Sequence, residues 1–106
     1  MPSRELQLTS ATHDDLRRLA KYIIESAGMP ATAAAYVRRI EERCADLCDF
    51  PAVGRNLSDV RAGLRVLPFE GVVIVFETTS TVVRVLRIYG QRQNYERHLR
   101  HQHRRR

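Results

Sequence analysis

Apolar residues in this chain alternate, then shift to helical spacing, then alternate again, and each shift marks an element. Residues 4–9, RELQLT, set Leu6 and Leu8 between polar neighbours, which predicts a short half-buried strand. Leu16, Leu19, Ala20, Ile23 and Ala27 then fall at i, i+3, i+4, i+7 and i+11, one stripe of an amphipathic helix. Thr12 with Asp15 three residues on reads as a capping-box-like start, and Gly28 ends the helix. Pro30 suits the first turn of a second helix, where its missing N–H has no intrahelical partner. Ala33, Val37, Ile40, Cys44 and Leu47 repeat the same spacing. Helices joined by two or three residues pack as an antiparallel hairpin.

Pro51 stops the second helix, and residues 51–63, PAVGRNLSDVRAG, form a loop rich in turn formers. Three strands follow: LRVLPF (64–69), VVIVFET (72–78) and VVRVLRIYG (82–90), the first two joined by a tight turn at Glu70-Gly71. The middle one is apolar on both faces, which predicts a central position with helices covering one side. Pro68 has no ladder N–H and marks its strand as an edge or a bulge. Strict alternation puts Arg84 and Arg87 on opposite faces of the last strand, so that both cannot line one site. A short helix beginning near Gln93 carries Tyr95, Glu96 and Leu99. The expected fold is α+β: an N-terminal strand, an antiparallel two-helix hairpin, then three antiparallel strands forming one curved sheet. A single domain spans 1–100, and residues 101–106, with nothing apolar to bury, are expected to be a disordered basic tail.

A hydrophobic content of 43% fits a globular domain. No run of about 18 apolar residues exists, and the first residues lack the apolar core of a signal peptide, so a cytoplasmic protein without membrane association is expected. Charge changes the picture more, because the net +6 is unevenly placed. Residues 1–83 hold ten Lys+Arg against eleven Asp+Glu, whereas 84–106 hold eight arginines against Glu96 alone. Such an end favours phosphates, an acidic protein partner, or simply solvent. All basic residues but Lys21 are arginines, which suit bidentate binding of phosphate or carboxylate. Cys44 and Cys48, four apart on a helix, point the same way, a poor geometry for a disulfide. No further ligands stand at metal-binding spacing nearby, and no cofactor is expected.

Residues 50–99 carry an ordered set of short motifs. Phe50-Pro51 closes the second helix, Gly54-Arg55 sits in the loop, and Gly63-Leu64-Arg65 opens the next strand. An apolar VVIVFE strand follows, then Tyr89-Gly90-Gln91-Arg92 at the end of the last strand, with YERHL behind it. In this order and spacing they resemble the C-terminal half of the RelE/ParE superfamily of bacterial toxins from type II toxin–antitoxin pairs. The N-terminal strand and helix hairpin fit the same order, extending the likeness over about residues 4–99. Two features depart from it: Tyr89 stands where the family often has His, and residues 50–70 carry only Arg55, Arg61 and Arg65 where the ribonuclease branch carries lysines.

The resemblance implies two activities. In a RelE-like, ribosome-dependent mRNA endoribonuclease, Arg65 and Arg92 would meet the phosphorane charge and Tyr89 or Tyr95 the leaving group. A base is lacking, since Tyr and Arg titrate near about 10 and above about 12. His98 is expected to face solvent from a short helix, and His13 sits at a helix start. A ParE-like inhibitor of DNA gyrase needs a binding surface and no proton relay. On this favoured reading Arg55, Arg61, Arg65, Tyr89 and Arg92 bind the target. Each also has a plain alternative: an exposed strand arginine with a snorkelling stem, or an aromatic at the core edge. A third reading is a non-toxic small nucleic-acid-binding module, although residues 84–106 hold no helix-turn-helix, zinc-ligand set or stacking motif. The implied partner is a cognate antitoxin, in a tight complex, laying a helix or extended segment across the helix hairpin and sheet edge. DNA gyrase is the implied target and ribosome-bound mRNA the alternative.

Overall fold

In a computed structural model of the chain, residues 3–90 and 95–103 are described, His103 by its backbone alone. The element order is β1 (Glu5–Leu8), α1 (Ser10–Ala27), α2 (Pro30–Asp46), β2 (Arg55–Asn56), β3 (Leu64–Phe69), β4 (Val72–Thr78), β5 (Val82–Gly90) and α3 (Tyr95–His103). The strands form one sheet in the order β1-β5-β4-β3-β2. β3, β4 and β5 are antiparallel neighbours, while β1 runs parallel to β5, pairing Glu5 with Val82 through Leu8 with Val85. The α+β architecture expected from the pattern is present. The two-residue β2, inside the expected loop, adds a fifth strand by pairing Arg55 with Val66 and Asn56 with Arg65. α3 runs through His103, three residues into the stretch expected to be a tail, and residues 104–106 lie outside the described ones.

β4 is buried from Val72 to Phe76 and organises two cores. Val72, Ile74 and Phe76 meet Leu16 of α1 and Ile40 and Cys44 of α2. Val73 and Val75 face the other way, into Leu57, Leu64, Val66, Tyr89 and Leu99. Helices on one side were expected; the second cover, built from α3 and the residues around Leu57, was not. Pro68 lies past the end of β2, on a stretch of β3 with no strand beyond it, as its missing N–H requires. The Glu70-Gly71 turn has φ of 45° and 88°, the doubly left-handed form that suits the twist of a two-residue hairpin. Glutamate is an unusual occupant there, and α2 holds it: the Tyr36 hydroxyl donates to its carbonyl oxygen and Arg39 Nε to its carboxylate at 3.1 Å.

The start of α1 differs from the expected capping box. Thr9 is the N-cap, its side chain accepting from the Thr12 N–H at 3.1 Å. Thr12 is wholly buried inside the first turn and donates its hydroxyl to the Val85 carbonyl at 2.9 Å. With threonines at 9 and 12, the motif has two possible registers, and tertiary hydrogen bonds to β5 select the earlier one.

Gly28 and Gly54 both have positive φ, yet different substitution costs are expected. Around Gly28 (φ 65°) an added Cβ meets open space, so Gly28→Ala should cost about 1–2 kcal/mol, the left-handed penalty alone. At Gly54 (φ 84°) the Cβ would collide with the Val66 carbonyl oxygen, a backbone atom of the β2–β3 pair. Urea unfolding should therefore show a clearly larger loss for Gly54→Ala, and equal losses would contradict this packing.

Candidate functional site

The arrangement of the basic side chains follows from one irregularity in β5. Val75 pairs with Arg87 but the next residue, Phe76, pairs with Val85, which leaves Leu86 as an extra residue in a β-bulge. A bulge resets the alternation of side chains. Arg84 stands opposite Glu77, itself opposite Leu64, and Arg87 stands opposite Val75; Leu64 and Val75 both belong to the second core. The two arginines therefore share the α3-bearing face, which corrects the expectation of opposite faces.

On that face Tyr89 is 4% exposed, and its hydroxyl has no hydrogen-bond partner among the described residues. The Arg87 guanidinium carbon lies 5.0 Å from its ring centre, the His98 ring 5.7 Å away edge-on, and the Tyr95 ring 6.4 Å away. His98, expected merely to face solvent, is exposed but rests on Tyr89. Burial raises the pKa of Tyr89, so its phenol stays protonated at neutral pH. The buried Leu99 anchors α3, and a chain of ions flanks it. Arg55 reaches Glu96 at 2.6 Å and the Tyr95 hydroxyl at 3.3 Å, Glu96 also binds Arg100 at 3.0 Å, and Arg100 binds Asp59 at 2.8 Å. Further along the sheet Glu77 is shared by Arg61 and Arg84, each at 3.0 Å.

The structure thus brings Arg55, Tyr89 and Tyr95 together and puts Arg61 on the same face. Arg65 is elsewhere. It pairs with Phe76, whose side chain enters the core beneath the helices, so Arg65 sits on the opposite face and donates to the Ala52 carbonyl at 3.2 Å. Arg65 and Tyr89 do not meet across the sheet. Arg92 lies outside the described residues. Burial raises the Cys44 thiol to about 12, so it is no nucleophile, and both cysteines are free. Among the described residues no cluster of three His, Cys, Asp or Glu could hold a metal, and no helix is long and apolar enough to cross a membrane.

Asp15 was missed as a site residue. It is 8% exposed and takes Arg87 Nε at 2.8 Å, Arg87 Nη2 at 3.0 Å, the Ile88 N–H at 2.9 Å and Arg18 at 2.9 Å. Burial pushes its carboxyl up, but the hydrogen bonds from Arg87 and Ile88, with the arginine charges, outweigh it and hold the pKa below 3.8. The signal was present: Thr12, Asp15, Leu16 and Leu19 share a helical stripe, which places a carboxylate on the buried side of α1. Beside this clamp an open groove of about 900 Å³ runs between α1 and the adjoining ends of β4 and β5. Tyr22, 68% exposed, stands on its α1 side.

A helix hairpin on one face of a five-stranded sheet and a short basic helix on the other define the RelE/ParE type of toxin fold. A chain of the chromosomal ParDE TA system from P. aeruginosa superposes with a TM-score of 0.71 at 25% identity, covering 83% of this chain and 96% of that one. A chain of the toxin–antitoxin complex RelBE2 from Mycobacterium tuberculosis shares the fold at a TM-score of 0.56 and 19% identity, covering 85% of this chain and 100% of that one. The family described as ParE toxin of type II toxin-antitoxin system, parDE, matches residues 6–95. Toxin ParE3 of Caulobacter vibrioides is 33% identical over 86 residues, which is 81% of this chain and 85% of that protein. The chain belongs to the ParE family of type II toxin–antitoxin toxins.

Asp15→Asn should cost about 2–3 kcal/mol at pH 7, the scale of hydrogen bonds lost to a charged acceptor. Because the folded pKa is depressed, the carboxylate's contribution is complete above about pH 4 and disappears as pH falls through the lowered folded value. Denaturant midpoints of the native protein and the variant should therefore converge in strong acid. A gap that stays constant from pH 7 downward would rule out the charge as its origin.

Proposed function

We propose that this toxin arrests growth by inhibiting DNA gyrase and is neutralised by a cognate antitoxin whose C-terminal segment occupies the groove beside α1. Membership of the ParE family supports the class of target. The observation that favours binding over catalysis is the separation of the site residues. The set a nuclease would need is not gathered, since Arg65 and Tyr89 lie on opposite faces of the sheet. Inhibition by binding requires a surface and no proton relay, and the Arg55–Glu96–Arg100–Asp59 chain with the Arg61–Glu77–Arg84 cluster offers one rich in fixed guanidinium groups.

For the antitoxin, the groove offers apolar wall from Leu19, Val72 and Ile88 with charged groups at its margin, the chemistry that suits an amphipathic segment. One contact favours a second reading, ribosome-dependent mRNA cleavage: His98 against Tyr89 places an imidazole beside a phenol.

Purified toxin added to gyrase and supercoiled plasmid should accumulate cleaved DNA and stop supercoiling, while ribosome-bound mRNA stays intact. mRNA cutting that His98→Ala abolishes, with gyrase untouched, would install the second reading instead. Tyr22→Arg, on an exposed side chain, should weaken antitoxin binding by about tenfold, the scale of a 1.4 kcal/mol loss. It should leave gyrase inhibition unchanged; unchanged antitoxin affinity would move the docking site elsewhere.

A further inference from the structure

Glu70 breaks a local rule. The first position of a doubly left-handed hairpin turn suits Asn, Asp or Gly, and Glu70 occupies it with φ of 45°. Its side chain makes one ion pair, with Arg39 Nη2 at 3.0 Å, between groups 49% and 44% exposed. A pair so open to water contributes too little to offset the backbone penalty. Stability therefore does not explain a glutamate here.

The same turn is where α2 is fastened to the sheet. α1 is bonded to β5 through Thr9, Thr12 and Asp15. Among the described residues, every polar contact from α2 to the sheet and its turns goes to Glu70. The Tyr36 hydroxyl donates to its carbonyl oxygen, and Arg39 donates to its carboxylate. The Arg39 guanidinium carbon also lies 5.5 Å from the centre of the Tyr36 ring, so the three side chains form one clasp. The clasp adjoins the groove without entering it. Gly71 and Val72 line the groove, and the Tyr36 hydroxyl stands 3.4 Å from where a Gly71 Cβ would be. Tyr36, Arg39 and Glu70 do not line it.

We propose that Glu70 is a positioning residue for antitoxin binding: held by Arg39, it fixes the Gly71–Val72 wall of the groove against α2 before a partner arrives. This rests on the reading of the groove as the antitoxin's seat. A hairpin corner free to move against the helices would be ordered only on binding, at a cost in affinity, and a corner already fixed avoids that cost. The choice of side chain matches the task. Asn would suit the turn better, but it is shorter and has no charge for Arg39. A carboxylate on a longer stem keeps the turn on α2, so the strain of a left-handed glutamate serves binding and not stability.

The test titrates native toxin and variants with the full-length product of the reading frame adjoining the toxin's, by calorimetry, with urea unfolding of each free toxin in parallel. Glu70→Asn should leave the urea midpoint unchanged or higher, since Asn-Gly is a favoured pair for this turn. It should nevertheless weaken binding by about fivefold, the scale of ordering one long side chain. Arg39→Gln, which leaves the turn sequence intact, should weaken binding to the same extent, and the double variant should weaken it no further.

Full affinity in Glu70→Asn overturns the inference. Losses that add in the double variant also overturn it, because the two side chains would then be independent contacts. So does a loss of affinity accompanied by a fall in the urea midpoint, since the residue would then serve the fold alone. If Tyr22→Arg weakens binding and Glu70→Asn does not, the groove reading stands without the clasp. If neither does, or if native toxin does not bind the adjoining product, the groove reading falls and this inference with it.

Discussion

The rest of the structure depends on β4 being apolar on both faces. A central strand reading Val-Val-Ile-Val-Phe cannot be left half covered, because each large side chain left in water forgoes about 1.5–3 kcal/mol. The helix hairpin satisfies the face of Ile74 and Phe76. The face of Val73 and Val75 needs a second cover, and the chain after β5 supplies it by returning as α3 with Leu99 buried against it. α3 is short and carries little else that is apolar, so its position leans on the Arg55–Glu96–Arg100–Asp59 chain along its flank. The basic character of that face is in this sense structural first: the ions that hold the cover in place are also the ions it displays.

A second constraint sits where β1 ends. β1 pairs with β5 only as far as Leu8 and Val85, so the following stretch of β5 lacks a strand on that side. Buried backbone groups need partners, and the first turns of α1 provide them. Thr9 donates to the Leu86 carbonyl, Thr12 to the Val85 carbonyl, and Asp15 accepts from Ile88. These contacts surround the bulge and hold it. The same bulge sets Arg84 and Arg87 on one face, so the helix start decides which way the basic groups of β5 point.

Strand and helix positions were legible in the sequence because period and punctuation agree: alternation, a helical stripe, Gly28, Pro30 and the Glu70-Gly71 turn. Two readings failed for one reason. The Thr12 cap and the opposite-face assignment of Arg84 and Arg87 both assume that local pattern decides, whereas long-range bonds between α1 and β5 select the cap register and accommodate the extra residue. β2 escaped notice because two residues carry no periodicity. Among the candidate site residues, proximity was the invisible part. Arg65 and Tyr89 look equivalent as members of one motif set, yet Arg65 follows Leu64 and so faces away from the second core that Tyr89 enters. Asp15 has an ordinary reading as the acidic partner in a Thr12 capping box, and that reading hides what the Thr12–Asp15–Leu16–Leu19 stripe implies, a carboxylate on the buried side of α1.

Arginines that share carboxylates also bear on how the two proposed surfaces relate. A guanidinium already held by an acid has lost much of its rotamer freedom before a partner arrives, which lowers the ordering cost of binding by about 0.5–1.5 kcal/mol per side chain. Where one acid serves two arginines, as Glu77 serves Arg61 and Arg84, the rigidity is kept and one positive charge remains. The groove beside α1 and the α3-bearing face are separate surfaces, but they meet at the end of β5: Arg87 and Tyr89 line the groove and also belong to the basic face. On the proposed reading, an antitoxin segment in the groove need not cover the whole target surface to silence it. An acidic group in the groove would compete with Asp15 for Arg87, whose guanidinium carbon lies 5.0 Å from the Tyr89 ring centre. Neutralisation through that shared corner requires only that the segment bind tightly beside α1, against the apolar wall of Leu19, Val72 and Ile88.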